Sequence, residues 1–172
     1  MTSASKPSEP VSSAEILWSW LGAFLGIAMV AYLDERLQAG TDLVWLIGSF
    51  GASAVLLYGV PHSPLAQPRN VFGGHVLSAL IGVLVASLTT VPLWMAAALA
   101  VSTSIAVMQM TRTVHPPGGA TALIAVIGGP KIKALAYLYV LLPVAVGALA
   151  LLLVALLMNN VLRSRRYPEF WF

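Results

Sequence analysis

Charged residues in this chain fall only between long uncharged runs, and that spacing constrains the fold more than any motif does. No Asp, Glu, Lys or Arg occurs within 16–33, 43–68, 70–111, 113–130 or 134–162. A hydrocarbon layer about 30 Å thick takes about 20 apolar residues of helix, so the charges read as punctuation between membrane passages. Composition agrees: 59% of residues are hydrophobic and 9% charged, against roughly 45–50% and about 25% in soluble domains. So few charges cannot cover a water-soluble surface, which argues against a soluble enzyme domain, and apolar dominance argues against disorder. With no cysteine, disulfides, thiolate metal sites and cysteine catalysis are excluded. A net charge of +3 is too small and too scattered for nucleic-acid binding.

The expected architecture is all-α: a polytopic membrane bundle over 15–162, between a polar tail (1–14) and a basic, aromatic tail (163–172). Segment 15–33 reads as the first helix. It is too long in its apolar part for a signal peptide, and Asp34-Glu35-Arg36 rather than a small-residue cleavage site follows it. Segment 43–60 is apolar but glycine-bearing, and ends at Pro61 before the non-helical linker PHSPLAQPRN. Run 70–111 would measure about 63 Å as one helix and must fold back at Thr89-Thr90-Val91-Pro92, giving helices near 70–88 and 92–111. Pro116-Pro117 suit a helix's first turn, so 117–129 reads as a helix too short to cross alone. A long last helix is expected over 134–162. Six crossings, counting both glycine-bearing segments, place the arginines after 162 inside by the positive-inside rule, with both termini cytoplasmic and the acidic loop 34–42 outside. Five crossings, or four full spans with broken elements, are the alternatives.

Gly51-Ala52-Ser53-Ala54-Val55-Leu56 resembles Gly119-Ala120-Thr121-Ala122-Leu123-Ile124, and each string runs on to a proline. The chain can be divided into two units of helix, glycine-bearing segment and helix. An odd number of passages per unit would make the second inverted, a recurrent transporter plan with its site at the midplane. The competing reading is that small residues recur in membrane helices because they allow close packing. On the first reading the starts at Ser49–Gly51 and Gly118–Ala120 lie within the hydrocarbon and approach each other.

The most specific string is His115-Pro116-Pro117-Gly118-Gly119-Ala120-Thr121. Two prolines start a helix, and two glycines leave its first N–H groups uncovered. Unpaired donors and a partial positive charge there favour an anion. The amides of Gly118, Gly119 and Ala120, the Thr121 hydroxyl and the His115 ring form one candidate set. Gly51 and Ser53 are their counterparts in the first string. The competing reading is a tight connection only. In the second string, Arg69-Asn70-Val71-Phe72-Gly73-Gly74-His75, Asn70 reads as an N-cap. Arg69 is either an interfacial anchor or an anion-attracting charge at the cytoplasmic mouth. His75, inside an uncharged run, is either a functional group or a neutral histidine bonded to a carbonyl; His62 reads as a loop residue. No H-E-x-x-H motif is present, and no Asp or Glu lies in any apolar run. That leaves no carboxylate pair for acid–base work or cation binding, and no metal or other cofactor is expected.

HPPGGATAL, with GSFGASAVLLYGVPHSPLAQPRNVFGGHVLSALIGV, resembles the HPP family of integral membrane proteins over roughly 15–160. The resemblance implies four spanning helices, leaving the two glycine-bearing segments as partial elements. It also implies nitrite transport, inherited from plastid and cyanobacterial members. CBS domains, carried by some bacterial members, are not expected here, nor is a plastid transit peptide, so a bacterial inner membrane is the expected location. The resulting expectation is a non-enzymatic protein moving a small inorganic anion, nitrite foremost, by a channel-like or uniport path. It would work as a homo-oligomer, since 18.1 kDa is small for an enclosed pathway. The rival is a non-transporting membrane scaffold or regulatory subunit.

Overall fold

The computed structural model describes residues 11–37, 46–88, 90–161 and 165–171. In chain order its helices are α1 (Ser13–Leu37), α2 (Gly48–Ala54), α3 (Pro68–Ala86), α4 (Leu93–Met110), α5 (Pro116–Ile127), α6 (Gly129–Leu135) and α7 (Val146–Met158). A π-helical turn, Val55–Gly59, continues α2, a 3-10 turn, Pro64–Ala66, precedes α3, and a second π-helical turn, Val140–Ala145, leads into α7. Four stretches among the described residues are long and apolar enough to cross a bilayer: α1, α3, α4 and Val140–Met158.

The expectation of six full crossings is corrected by these lengths. α5 has 12 residues, about 18 Å of helix, and α2 has only 7 before its geometry changes. Both are half-length passages, as the family resemblance implied. Direction nonetheless alternates through all six. Leu46 N–H donates to Asp34 Oδ1, 3.3 Å away near the end of α1. At the far end of the next passage, the Tyr58 carbonyl accepts from Arg165, which also donates to the Glu15 carbonyl at the start of α1. Residues 46–59 therefore run back along α1. Arg69, at the start of α3, donates to the Thr111 carbonyl just past α4 (2.7 Å). Asn159, just past α7, donates to the Leu57 carbonyl (2.8 Å). Glu15 and Arg165 consequently share one end of the bundle.

Local chemistry sets the helix limits. The Ser12 hydroxyl accepts from Glu15 N–H at 3.2 Å, a cap that opens α1, and α1 runs on through Asp34-Glu35-Arg36 instead of stopping at 33. Proline at N1 opens α3 and α5, where its missing N–H costs nothing. α3 and α4 match the helices expected near 70–88 and 92–111 to within about two residues, the usual scatter of helix ends. The single helix expected over 134–162 is broken. Ala136 has φ +45°, and Leu142 is extended (φ −128°, ψ 109°) beside Pro143, because proline offers no N–H and disfavours helical backbone before it. Residues 1–10 of the expected polar tail (1–14), residues 38–42 of the expected acidic loop (34–42), Thr89 of the expected turn, and Arg163 and Phe172 of the expected basic tail lie outside the described residues.

Apolar side chains divide between two environments. Val30, Phe50, Leu57, Tyr58, Tyr139 and Leu151 are fully or almost fully buried in one core, while Leu17, Trp20, Trp94, Leu153 and Leu157 are exposed. For helices bathed in lipid the outer surface is as apolar as the inner, so this exposure is the expected state. α3 and α5 pack backbone to backbone: a Cβ on Gly118 would lie 2.8 Å from the Gly74 carbonyl oxygen, and one on Gly82 would lie 2.6 Å from that of Ala122. Backbones this close admit only glycine at those points. Their contact brings the start of α5 against the first turns of α3.

Candidate functional site

Where α2, α3 and the start of α5 meet, five polar side chains form a buried cluster: Ser49, Ser53, His75, His115 and Thr121, none more than 1% exposed. Ser49 and Ser53 stand four residues apart, one turn, and so share a face of α2. His75 projects from the second turn of α3. His115 is the N-cap residue of α5, with φ −140° and ψ 105°, and Thr121 lies one turn beyond Pro117.

Ser53 Oγ is 2.7 Å from His75 Nε2 and 2.9 Å from His115 Nε2. The two rings meet edge to face, 4.9 Å between centroids and 61° between planes, and the Phe50 ring abuts His75 at 5.4 Å. On its other side His75 Nδ1 is 2.7 Å from Thr121 Oγ1. Thr121 Oγ1 also donates within reach of Ser49 Oγ (2.9 Å) and the Pro117 carbonyl (3.2 Å). His115 Nδ1 is 2.8 Å from the Leu65 carbonyl. A carbonyl can only accept, so His115 carries its proton on Nδ1, and its Nε2 accepts when the ring is neutral.

The expected approach of the two glycine-bearing strings is met at their hydroxyls, since Ser49 and Thr121 lie within hydrogen-bonding distance. Of the candidate residues, Ser53, His75, His115 and Thr121 come together. Others do not join them. Gly51 is exposed with open space where a Cβ would stand. Gly119 and Ala120 line an apolar cavity of about 500 Å³ beside Val101 and Ile105. The Gly118 N–H, expected to be uncovered, donates to the His115 carbonyl at 2.8 Å, and the face of Gly118 is filled by α3. Asn70 is not the N-cap of α3; Gln67 holds that position, and Asn70 Nδ2 instead donates to the Val114 carbonyl (2.9 Å), fixing the chain before His115. Arg69 is half-buried on its Thr111 bond. It borders a cavity of about 650 Å³ lined by Phe72, Leu149, Leu152 and Trp171 among others, whose lining suits acyl chains better than an anion. His62, the expected loop residue, pairs with Glu169 at 2.9 Å.

Several residues escaped sequence reasoning. The Leu65 carbonyl carries no sequence signal, being backbone. Ser49 was legible through its spacing to Ser53. The buried Gln67 ties the linker together, donating to the Pro61 and Ser63 carbonyls and accepting from Glu169 N–H. Ser78 Oγ is the one buried side-chain polar atom among the described residues without a hydrogen-bond partner. No group of three or more His, Cys, Asp or Glu among the described residues could hold a metal ion.

Residues 8–168 match the family model "HPP, transmembrane region". Two proteins of Dictyostelium discoideum, both described as transmembrane proteins, are each 47% identical over 161 residues, 92% of this chain. The matches take in 51% and 56% of their lengths, so the chain spans about half of the curated relatives it matches. No solved structure matches. With the match covering almost its whole length, the chain belongs to the HPP transmembrane family.

Proposed function

We propose that this protein moves a small inorganic anion, nitrite foremost, across the membrane, and that it is not an enzyme. The observation carrying this reading is the buried cluster itself. It gathers hydroxyls and imidazoles where a broken helix and a half-length helix meet, and no Asp or Glu lies in α2, α3, α4, α5 or α7. Discontinuous helices facing each other across a polar site are the transporter plan of inverted repeats, and the pairing of Ser53 with Thr121 around His75 supports that relation between the two strings. With no carboxylate to bind a cation, the donors present suit an anion. For the anion moving alone, a channel-like or uniport path is the simplest form. The other candidate residues, Gly51, Gly118, Gly119, Arg69 and Asn70, would shape the anion's approach rather than its seat. The shared end of Glu15 and Arg165 is assigned to the cytoplasm from Arg163, Arg165 and Arg166. A homo-oligomer in a bacterial inner membrane completes the reading.

One observation favours a second reading, a membrane scaffold or regulatory subunit: the ring nitrogens and hydroxyls of the cluster are bonded to one another and to backbone carbonyls. Purified protein in liposomes separates the two. Nitrite flux above protein-free vesicles supports transport; none, from correctly folded protein, supports the scaffold.

A further inference from the structure

We propose that the histidine pair bridged by Ser53 takes up one proton together with the transported anion. This rests on the anion-transport reading and gives it a driving force.

Counting protons along the cluster leads there. His115 Nδ1 must hold a proton for the Leu65 carbonyl, so in the neutral cluster its Nε2 is bare and draws the single Ser53 proton. Ser53 then has none left for His75, so His75 Nε2 must carry a proton and donate it to Ser53 Oγ. His75 Nδ1 is therefore bare and draws the Thr121 proton. Giving the Ser53 proton to the Ser49 carbonyl, 3.2 Å away, would leave His115 Nε2 without a donor, so each assignment forces the next.

A second complete arrangement exists on the same heavy atoms. A proton added to His75 Nδ1 is donated to Thr121 Oγ1, and Thr121 turns its own proton to Ser49 Oγ or the Pro117 carbonyl, both already within reach. No donor or acceptor is stranded. The added charge also moves between rings: His75 Nε2 passes its proton to Ser53 Oγ while the Ser53 proton passes to His115 Nε2. Ser53 remains a neutral hydroxyl, one ring loses a proton and the other gains one. At 4.9 Å between centroids two imidazoliums would repel, so the pair holds one extra proton and not two.

That proton makes a buried cation, which is costly without a counter-charge. The ionisable groups on the elements around the pair supply none. Tyr58 and Tyr139 donate their hydroxyls to the Leu151 and Thr121 carbonyls, and Arg69 is itself a cation. On the linker His62 faces Glu169, an exposed pair. α1 carries Glu15, Asp34, Glu35 and Arg36 in its terminal turns, and Lys131 and Lys133 lie on α6. An anion entering the cluster is the missing counter-charge, so proton and anion each raise the other's affinity by the same factor and cross as a neutral pair.

The test uses the full chain in nanodiscs with histidine labelled in nitrogen-15. Nitrite added between pH 6 and 8 is expected to convert one buried ring per chain to imidazolium, and apparent nitrite affinity is expected to fall about tenfold per pH unit, as for one linked proton. The double variant H75Q/H115Q should lose nitrite affinity at the acid end of that range, and whatever binding it keeps should no longer vary with pH. Wild-type spectra stand independently of how the variant folds. Nitrite flux in liposomes with no change at either histidine on binding overturns the inference and leaves the transport reading intact. Protonation that follows pH alone and ignores nitrite overturns it as well. Absence of both nitrite binding and flux overturns the transport reading, and the inference with it.

Discussion

Ser53 and Thr121 bond opposite nitrogens of one imidazole: Ser53 Oγ lies 2.7 Å from His75 Nε2, and Thr121 Oγ1 lies 2.7 Å from His75 Nδ1. The two hydroxyls come from matching positions of the two small-residue strings, one on α2 and one on α5. Held from both sides, the ring cannot turn without breaking a bond to one of the two half-length passages. Movement of either passage is thereby tied to the hydrogen bonding of His75.

Ser53 is the shared partner, so its loss should exceed that of Thr121. Ser53→Ala leaves both Nε2 atoms without their hydroxyl, and each stranded buried group costs about 1–3 kcal/mol. Thr121→Val strands one nitrogen of His75 and removes the partner of Ser49 Oγ, a rotatable hydroxyl that re-pairs more easily than a fixed ring nitrogen. Thermal unfolding in detergent should rank Ser53→Ala below Thr121→Val, and proteoliposome nitrite flux should fall in both. Equal stability of Ser53→Ala and wild type would show that the two Nε2 atoms do not depend on this hydroxyl.

The apolar helical segments, the break at Pro116-Pro117 and the candidacy of His75, His115, Ser53 and Thr121 were legible because charges, prolines and polar residues stand out against an apolar background; that only four stretches are long enough to cross and that these four side chains meet were not. What faces what was not. In a soluble helix the apolar stripe marks the core, but Leu151 and Leu153 have the same chemistry and only one is buried, since lipid and protein interior are equally apolar. For the same reason the alternation of Gly118, packed on α3, and Gly119, facing an apolar cavity, left no trace in the sequence. The break at Ala136 was hidden inside an apolar run, whereas the one at Leu142 was marked by Pro143, which the expected long helix ran through.

That difference between neighbouring glycines gives a sharp comparison. A Cβ at Gly118 would press on the Gly74 carbonyl and on Ser78 Oγ, 2.8 and 2.9 Å away, whereas one at Gly119 meets only Val101 Cγ1 at 3.8 Å. Gly118→Ala should destabilise by about 1–3 kcal/mol, as overpacking does. Gly119→Ala should be neutral or stabilise by up to about 1 kcal/mol through helix propensity. Denaturant or thermal unfolding of the two variants checks this. Equal effects would mean that α3 and α5 can separate at this contact without cost.

Arg165 is a buried fork joining three elements. It donates to the Tyr58 carbonyl, Asn159 Oδ1, the Glu15 carbonyl and Ser19 Oγ. Lysine retains the charge but offers a compact ammonium in place of a planar set of donors. Arg165→Lys should therefore cost about 1–3 kcal/mol by leaving some of these acceptors unpaired, and Arg165→Ala more. Limited proteolysis should then cut near the chain's two ends faster than in wild type. Unchanged cleavage would mean that the tail is held by Tyr167, whose hydroxyl donates to the Ala66 carbonyl, and by Glu169 alone.

Arg69 can serve as an anchor through Thr111 or as an attracting charge, and ionic strength separates the roles. The hydrogen bond to the Thr111 carbonyl, 2.7 Å long, is short-ranged and indifferent to salt. Attraction of a diffusing anion acts over distance and is screened within about 10 Å at 0.1 M salt and about 3 Å at 1 M. If the charge matters for transport, Arg69→Glu should cut nitrite flux several-fold at low salt, and the gap to wild type should narrow as an inert salt is added. Arg69→Lys keeps the charge while giving up the guanidinium fork, so it should retain most of the flux. A loss equal in Arg69→Lys and Arg69→Glu, unaltered by salt, would assign Arg69 to holding the ends of α3 and α4 together. In that case the anion must be drawn in by the cluster alone.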